Sequence, residues 1–268
     1  GRLKKLIDTF RPDTFLTIFG FDHDREIIEY IKEKKVVTAC WWLNDPFQFR
    51  RSILQAGYYD YYFTNASEGL DDYRRAGVRN AFFLPLASFP KVHRKFPDAV
   101  QKFEVCFAGD WGPMREKVLD NLSRDFDIAV FGPWGKKIKK DSPISNKIHI
   151  DGFFSPKEMV NIFNQSKIVL NVHGSFGEWD YGTNPRIFEA NGSGAFQLSD
   201  FKKEIPRLYE PDREIVLYKN VDELKEKLSF YLKNDDDRRL VANRGYERTV
   251  NCHTYRHRLD EMFQIIFR

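Results

Sequence analysis

The chain alternates between short apolar runs and longer segments in which apolar residues recur at every third or fourth position. Runs of the first kind predict strands, and segments of the second kind predict helices. Strands that are each followed by a helix indicate βαβ units and therefore a parallel sheet. In the N-terminal third the predicted strands are Thr14–Phe19, Val36–Ala39, Tyr61–Thr64 and Ala81–Leu84. The helices predicted between them are Arg2–Phe10, Arg25–Lys34, Phe47–Gln55 and Ser67–Arg75.

The pattern breaks at Pro85–Val100, where three prolines stand among mixed charges, as is typical of a linker. It then resumes with predicted strands at Glu104–Ala108, Ile128–Phe131, Ile168–Val172, Ala195–Leu198 and Glu214–Leu217. The predicted helices are Met114–Ser123, Pro156–Asn164, Pro185–Asn191, Val221–Leu232, Asp236–Val250 and Tyr255–Ile266. We therefore predict an α/β domain over residues 1–88, a linker over 89–103, and a second α/β domain with a helical tail over 104–268.

Composition narrows the function classes. A chain of 268 residues that is 42% hydrophobic can build a large core, so disorder is excluded. The net charge of +4 is mild and the basic residues form no stripe, which argues against nucleic-acid binding. The three cysteines form no CxxC pair, so we expect neither a disulfide nor a zinc site, and a cytoplasmic setting. We find no transmembrane-length apolar run and no signal peptide.

The strongest candidate site follows the predicted strand Ile168–Val172, because open parallel sheets bind ligands beyond the carboxyl ends of their strands. Free amides at the start of the next helix suit a pyrophosphate, a guanidinium there can grip phosphate, and a carboxylate one turn further on can accept hydrogen bonds from ribose hydroxyls. The candidate nucleotide-binding residues are His173, Gly174, Thr183, Asn184, Arg186 and Glu189. The alternative is that Asn184-Pro185 is only a helix cap and Arg186–Glu189 only a surface pair.

A second candidate cluster follows the strands Glu104–Ala108 and Ile128–Phe131. Glycines at a strand-to-helix turn let the backbone approach phosphates, and an arginine in the first helical turn adds a positive charge. An equally good alternative to phosphate binding is a simple turn in which Asp110 caps the following helix. For Trp134, packing at the domain edge is favoured over stacking on a nucleotide base. The candidates here are Gly109, Asp110, Arg115, Gly132 and Trp134.

The segment Ile168–Arg258 resembles the nucleotide-sugar half of GT-B glycosyltransferases, particularly the CgeB-like branch. The resemblance is carried, in this order, by Ile168-Val-Leu-Asn-Val-His173, Asn184-Pro-Arg-Ile-Phe-Glu189-Ala, Gly194-Ala-Phe-Gln-Leu-Ser-Asp200, Glu214-Ile-Val-Leu-Tyr218, Asp222-Glu-Leu and His253-Thr-Tyr-Arg-His-Arg258. A weaker likeness in the first domain rests on Trp41-Trp-Leu-Asn-Asp-Pro46 and Phe63-Thr-Asn-Ala-Ser67.

The resemblance implies a GT-B fold, in which two Rossmann-type parallel-sheet domains face a cleft. It implies a metal-independent glycosyltransferase of the hexosyltransferase type, with a nucleotide-diphosphate sugar such as a UDP-sugar on the second domain and an unidentified acceptor on the first. Glu189 takes the place of the Glu that closes the family's E-x7-E signature. The opening Glu falls at Tyr181, so the chain departs from that signature, and Glu178 or Asp180 could substitute.

Three residues after strands of the first domain are candidates for the catalytic base: His23, Asp22 and Asp45. Helix capping is the favoured alternative for Asp22 and Asp24. A metal site from His253 and His257 is geometrically possible, although no carboxylate-rich sequence supports it. One rival function is a non-catalytic nucleotide- or sugar-binding module. Another is an NAD-type oxidoreductase, which lacks support because no G-x-G-x-x-G turn is present.

Overall fold

Ten parallel strands in two separate sheets organise the chain, as seen in a computed structural model that describes residues 1–21 and 23–268. The residues divide into two compact units. Unit 1 contains residues 1–86, 181–184 and 258–268, and unit 2 contains residues 87–180 and 185–257. Among the described helices, none combines the length and the apolar character that crossing a bilayer requires.

Unit 1 is built on a four-stranded sheet whose order, β1-β2-β3-β4, follows the chain. The strands are β1 (Thr14–Ile18), β2 (Val37–Trp42), β3 (Tyr61–Thr64) and β4 (Ala81–Phe83). The helices are α1 (Arg2–Phe10), α2 (Arg25–Glu33), α3 (Phe49–Ala56) and α4 (Leu70–Arg75), the last preceded by a 3₁₀ turn at Ser67–Gly69. The predicted elements of this unit are confirmed, with ends that shift by up to three residues, as where β2 ends at Trp42 rather than Ala39.

Unit 2 carries a six-stranded sheet with the order β10-β9-β8-β5-β6-β7. Its strands are β5 (Phe103–Ala108), β6 (Ile128–Phe131), β7 (Ile148–Ile150), β8 (Ser166–Asn171), β9 (Gln197–Asp200) and β10 (Val216–Tyr218). Its helices are α5 (Pro113–Leu122), α6 (Pro156–Asn164), α7 (Arg186–Gly192), α8 (Ile205–Leu208), α9 (Val221–Lys233) and α10 (Asp235–Cys252). The last helix, α11 (Tyr255–Ile266), begins in unit 2 and contributes its remaining residues to unit 1.

The six-stranded sheet is buried on both faces, which explains why its strands are almost continuously apolar. Along β5, Val105 and Phe107 enter one core cluster with residues of α5, α9 and α10. Cys106 and Ala108 point the other way, into a cluster with residues of α6 and α7. Side chains alternate across a strand, so helices on both faces require apolar residues at every position.

One strand, one α-helix and the 3₁₀ turn Ser145–Lys147 of unit 2 were not predicted, and three strands are displaced. β8 begins at Ser166, two residues before its predicted start. β7 and α8 have three and four residues, too short to show a period. The strands expected at Ala195–Leu198 and Glu214–Leu217 lie about two residues later, as β9 and β10. In both cases the strand continues into polar or tyrosine positions, Ser199, Asp200 and Tyr218, which are buried in this fold. Tertiary burial rather than residue type decides these ends.

Candidate functional site

The strand order of unit 2 reverses between β5 and β8. From β5 the chain builds outward through β6 and β7, and it then returns to the other side of β5 to place β8, β9 and β10. Such a reversal leaves a crevice beyond the carboxyl ends of the two neighbouring strands, where α/β proteins bind their ligands. The two predicted clusters, after β5 and after β8, therefore meet at one edge of one sheet. The sheet of unit 1 shows no such reversal among its described strands.

Arg115 joins the two loops at this crevice. Its Nε donates to the carbonyl oxygen of Val172 after β8 at 2.9 Å, and its Nη1 donates to that of Asp110 after β5 at 2.9 Å. The pKa of Arg115 is lower than usual, chiefly because the side chain is buried, and the charge of Arg186 lowers it further. The charges of Asp110 and Asp200 oppose this effect. Two guanidinium groups thus lie within electrostatic range of each other near the crevice, an arrangement that suits an anion.

The loop after β5 differs from the expected capped turn. Helix α5 begins at Pro113 with Gly112 as its N-cap, so the exposed Asp110 does not cap it, while Arg115 lies in the first turn as predicted. Gly132, with φ +146°, is needed because a side chain there would collide with the carbonyl oxygen of Gly109. Gly132 therefore allows the turns after β5 and β6 to approach each other closely.

Trp134 is fully buried, so its ring has no free face for a nucleotide base. Its indole Nε1 donates to the carbonyl oxygen of Gly109 at 2.8 Å, and its ring packs edge-on against Phe107. Asp151 accepts hydrogen bonds from the backbone amides of Trp134 and Gly135. The geometry favours the packing alternative, and the stacking role is not supported.

Arg186 and Glu189 form a close pair at the start of α7. The Nη1 of Arg186 donates to Glu189 Oε2 at 2.5 Å, and the two side chains are 15% and 19% exposed. The guanidinium also lies 5.0 Å from the ring of Phe163 and contacts Met159 Sδ. The pair is therefore largely buried against α6 rather than lying on the surface, and its charges are screened little by solvent.

A buried ionic network lies under the loop that follows β8. The Nδ1 of His173 is 2.6 Å from Asp200 Oδ1, which also accepts from the backbone amide of His173 at 2.8 Å. Lys202 Nζ lies 3.2 Å from Asp200 Oδ2 and donates to Ser175 Oγ and to the carbonyl of Trp179. The network ties the end of β9 to the loop beginning at Gly174.

Asp200 and Lys202 were not singled out in the sequence as site residues. The pKa of Asp200 lies below its ordinary value because His173 and Lys202 outweigh the opposing effect of burial. Their signal was present, since polar residues directly after a strand mark the ligand-binding edge of a parallel sheet. Their proximity to His173 and Ser175 was not visible, because it arises only from the pairing of β8 with β9.

Thr183 and Asn184 belong to unit 1, whereas the rest of their predicted cluster belongs to unit 2. The carbonyl oxygen of Thr183 accepts a 2.7 Å hydrogen bond from Asn65 Nδ2, which also binds the carbonyl oxygen of Asp45. A side chain at Gly182 would collide with Pro46. These contacts fix residues 181–184 on the loop that follows β2.

Asp45 is 3% exposed and is enclosed by hydroxyl groups. It accepts hydrogen bonds from Ser52 Oγ, Thr64 Oγ1 and Tyr73 Oη at 2.6 to 2.9 Å. Burial raises the pKa of Asp45, and the hydroxyl groups oppose that effect. A carboxylate enclosed in this way organises the core of unit 1, and the geometry does not support its role as a base that reaches an acceptor.

The other two base candidates follow β1. His23 is half-buried and packs edge-on against Phe15, and Asp22 lies outside the described residues. Asp24 is the N-cap of α2, since its side chain accepts a hydrogen bond from the amide of Ile27 at 3.0 Å. Of the candidate bases with a described side chain, only His23 is not enclosed by its own hydrogen-bonding partners.

The histidines near α11 bind protein groups. His253 Nε2 lies 2.7 Å from the carbonyl oxygen of Leu208, and His257 Nδ1 lies 2.6 Å from Thr254 Oγ1. Within residues 1–21 and 23–268, no group of three or more His, Cys, Asp or Glu side chains is arranged to hold a metal ion.

Comparison with known proteins identifies the family. The sequence model described as "Glycosyl transferase-like" matches residues 114–264, which is more than half of the chain. The spore protein CgeB of Bacillus subtilis (strain 168) is 25% identical over 267 residues, covering 93% of this chain and 81% of that protein. The chain therefore belongs to the glycosyl transferase-like family.

Solved structures agree on the fold. Sucrose-phosphate synthase from Thermosynechococcus elongatus matches with a TM-score of 0.71 at 10% identity, covering 98% of this chain and 75% of that chain. Anabaena HepE, in a complex with UDP and glucose, matches with a TM-score of 0.70 at 12% identity, covering 98% of this chain and 80% of that chain. The two parallel-sheet α/β units have the GT-B glycosyltransferase fold.

Proposed function

We propose that this member of the glycosyl transferase-like family moves a hexose from a nucleotide-diphosphate sugar to a hydroxyl or similar group of an acceptor. A UDP-sugar is the first donor to test, because the structures of HepE, which shares this fold, include complexes with UDP and with UDP-glucose. The single observation that carries the proposal is the crevice between β5 and β8, whose two loops are joined by Arg115.

We place the donor diphosphate at this crevice, beside Arg115 and Arg186. Arg115 is held at the crevice by two backbone carbonyl oxygens and Arg186 begins α7, so both guanidinium groups are candidates to bind the diphosphate. Glu189 lies one turn along α7 and would bind ribose hydroxyls, while His173-Gly174 would line the donor sugar. The backbone amide of Gly109, directly after β5, stays a candidate for binding the diphosphate.

We further propose that the transfer needs no metal ion. Departure of the nucleoside diphosphate develops negative charge on phosphate oxygens, and fixed cationic groups can stabilise that charge as a metal would. Arg115 is pre-organised for this role because two backbone carbonyls hold its guanidinium in place. Burial against Phe163 holds Arg186 similarly.

A second candidate function is a binding module that does not catalyse transfer. It is favoured by one observation: the position of the opening acid of the E-x7-E signature is Tyr181, and that residue belongs to unit 1. An assay for slow hydrolysis of a bound sugar nucleotide distinguishes the enzyme from the binding module. Hydrolysis supports the enzyme, because a protein that only binds the nucleotide leaves it intact.

Calorimetric titration of UDP, GDP and dTDP in the presence of EDTA tests the donor site. We expect one nucleotide to bind, and its affinity to fall roughly tenfold or more in Arg186→Ala and in Glu189→Ala, because each removes a charged hydrogen-bonding group. Arg124→Ala is the matched control, since Arg124 is an exposed residue of the turn after α5. Addition of Mg²⁺ should leave the affinity unchanged.

Thermal melting of each variant establishes that it is folded. If no nucleotide binds to the folded protein, or if both variants bind as tightly as the Arg124→Ala control, the donor assignment is wrong. If binding appears only with Mg²⁺, the metal-independent mechanism is wrong while the donor site stands.

A further inference from the structure

A second cavity lies at the opposite end of the unit 2 sheet from the donor crevice. It has a volume of about 540 Å³, within the range of roughly 300–1,000 Å³ that is usual for small-molecule pockets. Its walls come from the starts of β8 and β9, the end of α6, the first turns of α10 and the segment before β5. Parallel strands place this amino end a full strand length away from the β5–β8 crevice.

The lining of this cavity is cationic. Four of its side chains are basic and none is acidic: Lys95, Lys167, Arg238 and Arg239. Two of the four have carboxylate partners just outside the lining, Glu104 at 3.2 Å from Lys167 and Asp235 at 2.6 Å from Arg238. In the described part of the chain no carboxylate pairs with Lys95 or Arg239, so the cavity keeps a surplus of positive charge.

Arg238 is the buried cation of the cavity wall. It is 1% exposed, and its Nη1 is satisfied by Asp235 and by the carbonyl oxygen of Tyr231. Its Nη2 is buried and has no hydrogen-bonding partner among the described residues. Arg238 therefore adds to the wall of the cavity a guanidinium group whose hydrogen-bonding needs the protein meets only in part.

The walls around these cations are held in place before any ligand arrives. Asn164 accepts a hydrogen bond from the amide of Phe96 and donates to the carbonyl oxygen of Arg94, which fixes the segment above the cavity. The stem of Lys95 packs on Gly194, where a side chain would meet it and φ is +73°, and its Nζ donates to Asn243 Oδ1 at 2.5 Å. Little conformational ordering is therefore left for binding.

We propose that this cavity is a second anion site, separate from the donor crevice, which binds a small phosphate ester. Phosphate oxygens match the fork of a guanidinium and the point charge of a lysine. The site belongs to unit 2 alone, so its existence does not depend on the proposed transfer reaction.

Titration calorimetry and thermal melting with inorganic pyrophosphate and with a hexose phosphate test the proposal on the full chain. We expect binding that weakens about tenfold or more in each of Lys95→Ala and Arg239→Ala, the effect of deleting one charged hydrogen bond. Both positions are exposed and outside the donor crevice, so these variants should fold and should bind nucleotide as the unsubstituted protein does.

Arg115→Ala is the complementary variant, because it removes a cation from the donor crevice and its contacts, Asp110, Val172 and Phe107, lie outside the cavity lining. The proposal is overturned if neither probe binds, if binding is unchanged in both cavity variants, or if binding is lost only in Arg115→Ala, which would place the anion in the donor crevice. A failed donor assignment combined with binding that is lost in Lys95→Ala would still support the second site.

Discussion

Replacing Asp200 with asparagine removes one charge from a network whose members are almost inaccessible to solvent. Asp200, Lys202 and His173 are 0%, 1% and 3% exposed. Lys202 then keeps only neutral acceptors, Ser175 Oγ and the carbonyl oxygen of Trp179. Breaking a buried pair by removing one partner typically costs about 3–5 kcal/mol, so we expect a loss of that size in the free energy of unfolding of unit 2.

The pH dependence of this loss follows from the direction of the pKa shift. The pKa of Asp200 is lowered from its ordinary value of 3.8, because the contacts with His173 and Lys202 outweigh the opposing effect of burial. An acid whose pKa is lower in the folded protein than in the unfolded protein stabilises the fold at pH values above its unfolded pKa. That stabilisation is lost as the pH falls through its folded pKa. The difference in unfolding free energy between the unsubstituted protein and Asp200→Asn should therefore be fully present at pH 7 and should shrink below about pH 4.

Urea denaturation followed by circular dichroism and tryptophan fluorescence measures the loss at both pH values. Asp180→Asn is the matched control, because that carboxylate is 57% exposed and lies 3.4 Å from Lys203, a pair worth about 1 kcal/mol or less. Adding Lys202→Met to Asp200→Asn should recover part of the loss, since it removes the unpaired cation. A cost at pH 7 no larger than that of the control would refute the reasoning.

Three further outcomes are expected. Gly132→Ala should destabilise by about 2 kcal/mol or more in thermal melts, because its side chain would collide with the carbonyl oxygen of the turn after β5, whereas Gly152→Ala, which meets no atom within 4 Å, should be close to neutral. Asp24→Ala should lower the free energy of unfolding by about 1 kcal/mol, because α2 loses its N-cap, whereas Asp110→Ala removes no cap and should have little effect. If urea titrations show that the two substitutions have equally small effects, the capping assignment is wrong. Trp134→Phe should lower stability while leaving nucleotide affinity unchanged in calorimetry, and a weakened affinity in the folded variant would restore the stacking role.

The alternation of strands and helices was readable because each element carries its own period. The apolar runs that became β5, β6 and β8 are buried on both faces, so every position had to be apolar and the pattern was unambiguous. The short elements β7 and α8 were missed because three or four residues contain no period.

The residues of the candidate site were likewise predictable only where a local pattern marks them. Arg115 was identifiable because glycines and a proline mark the turn before it, and Glu189 because α7 has a recognisable start and end. The role of Trp134 and the enclosure of Asp45 were not readable, since burial by residues distant in sequence leaves no local signal. Asp200 contacts His173, and Lys202 contacts Ser175, only because β8 and β9 are neighbours, and each pair is 27 positions apart along the chain.

The sequence by itself determined the fold class, the family and the loops in which ligand-binding residues lie, because periodicity, turn chemistry and ordered motifs are local properties of the chain. Only the tertiary structure decided that β5 and β8 are neighbours, that residues 181–184 belong to unit 1, and that four cations meet around a cavity at the far end of the sheet. The physical reason is that strand order and burial depend on which distant segments pack together, and no stretch of sequence encodes that choice alone.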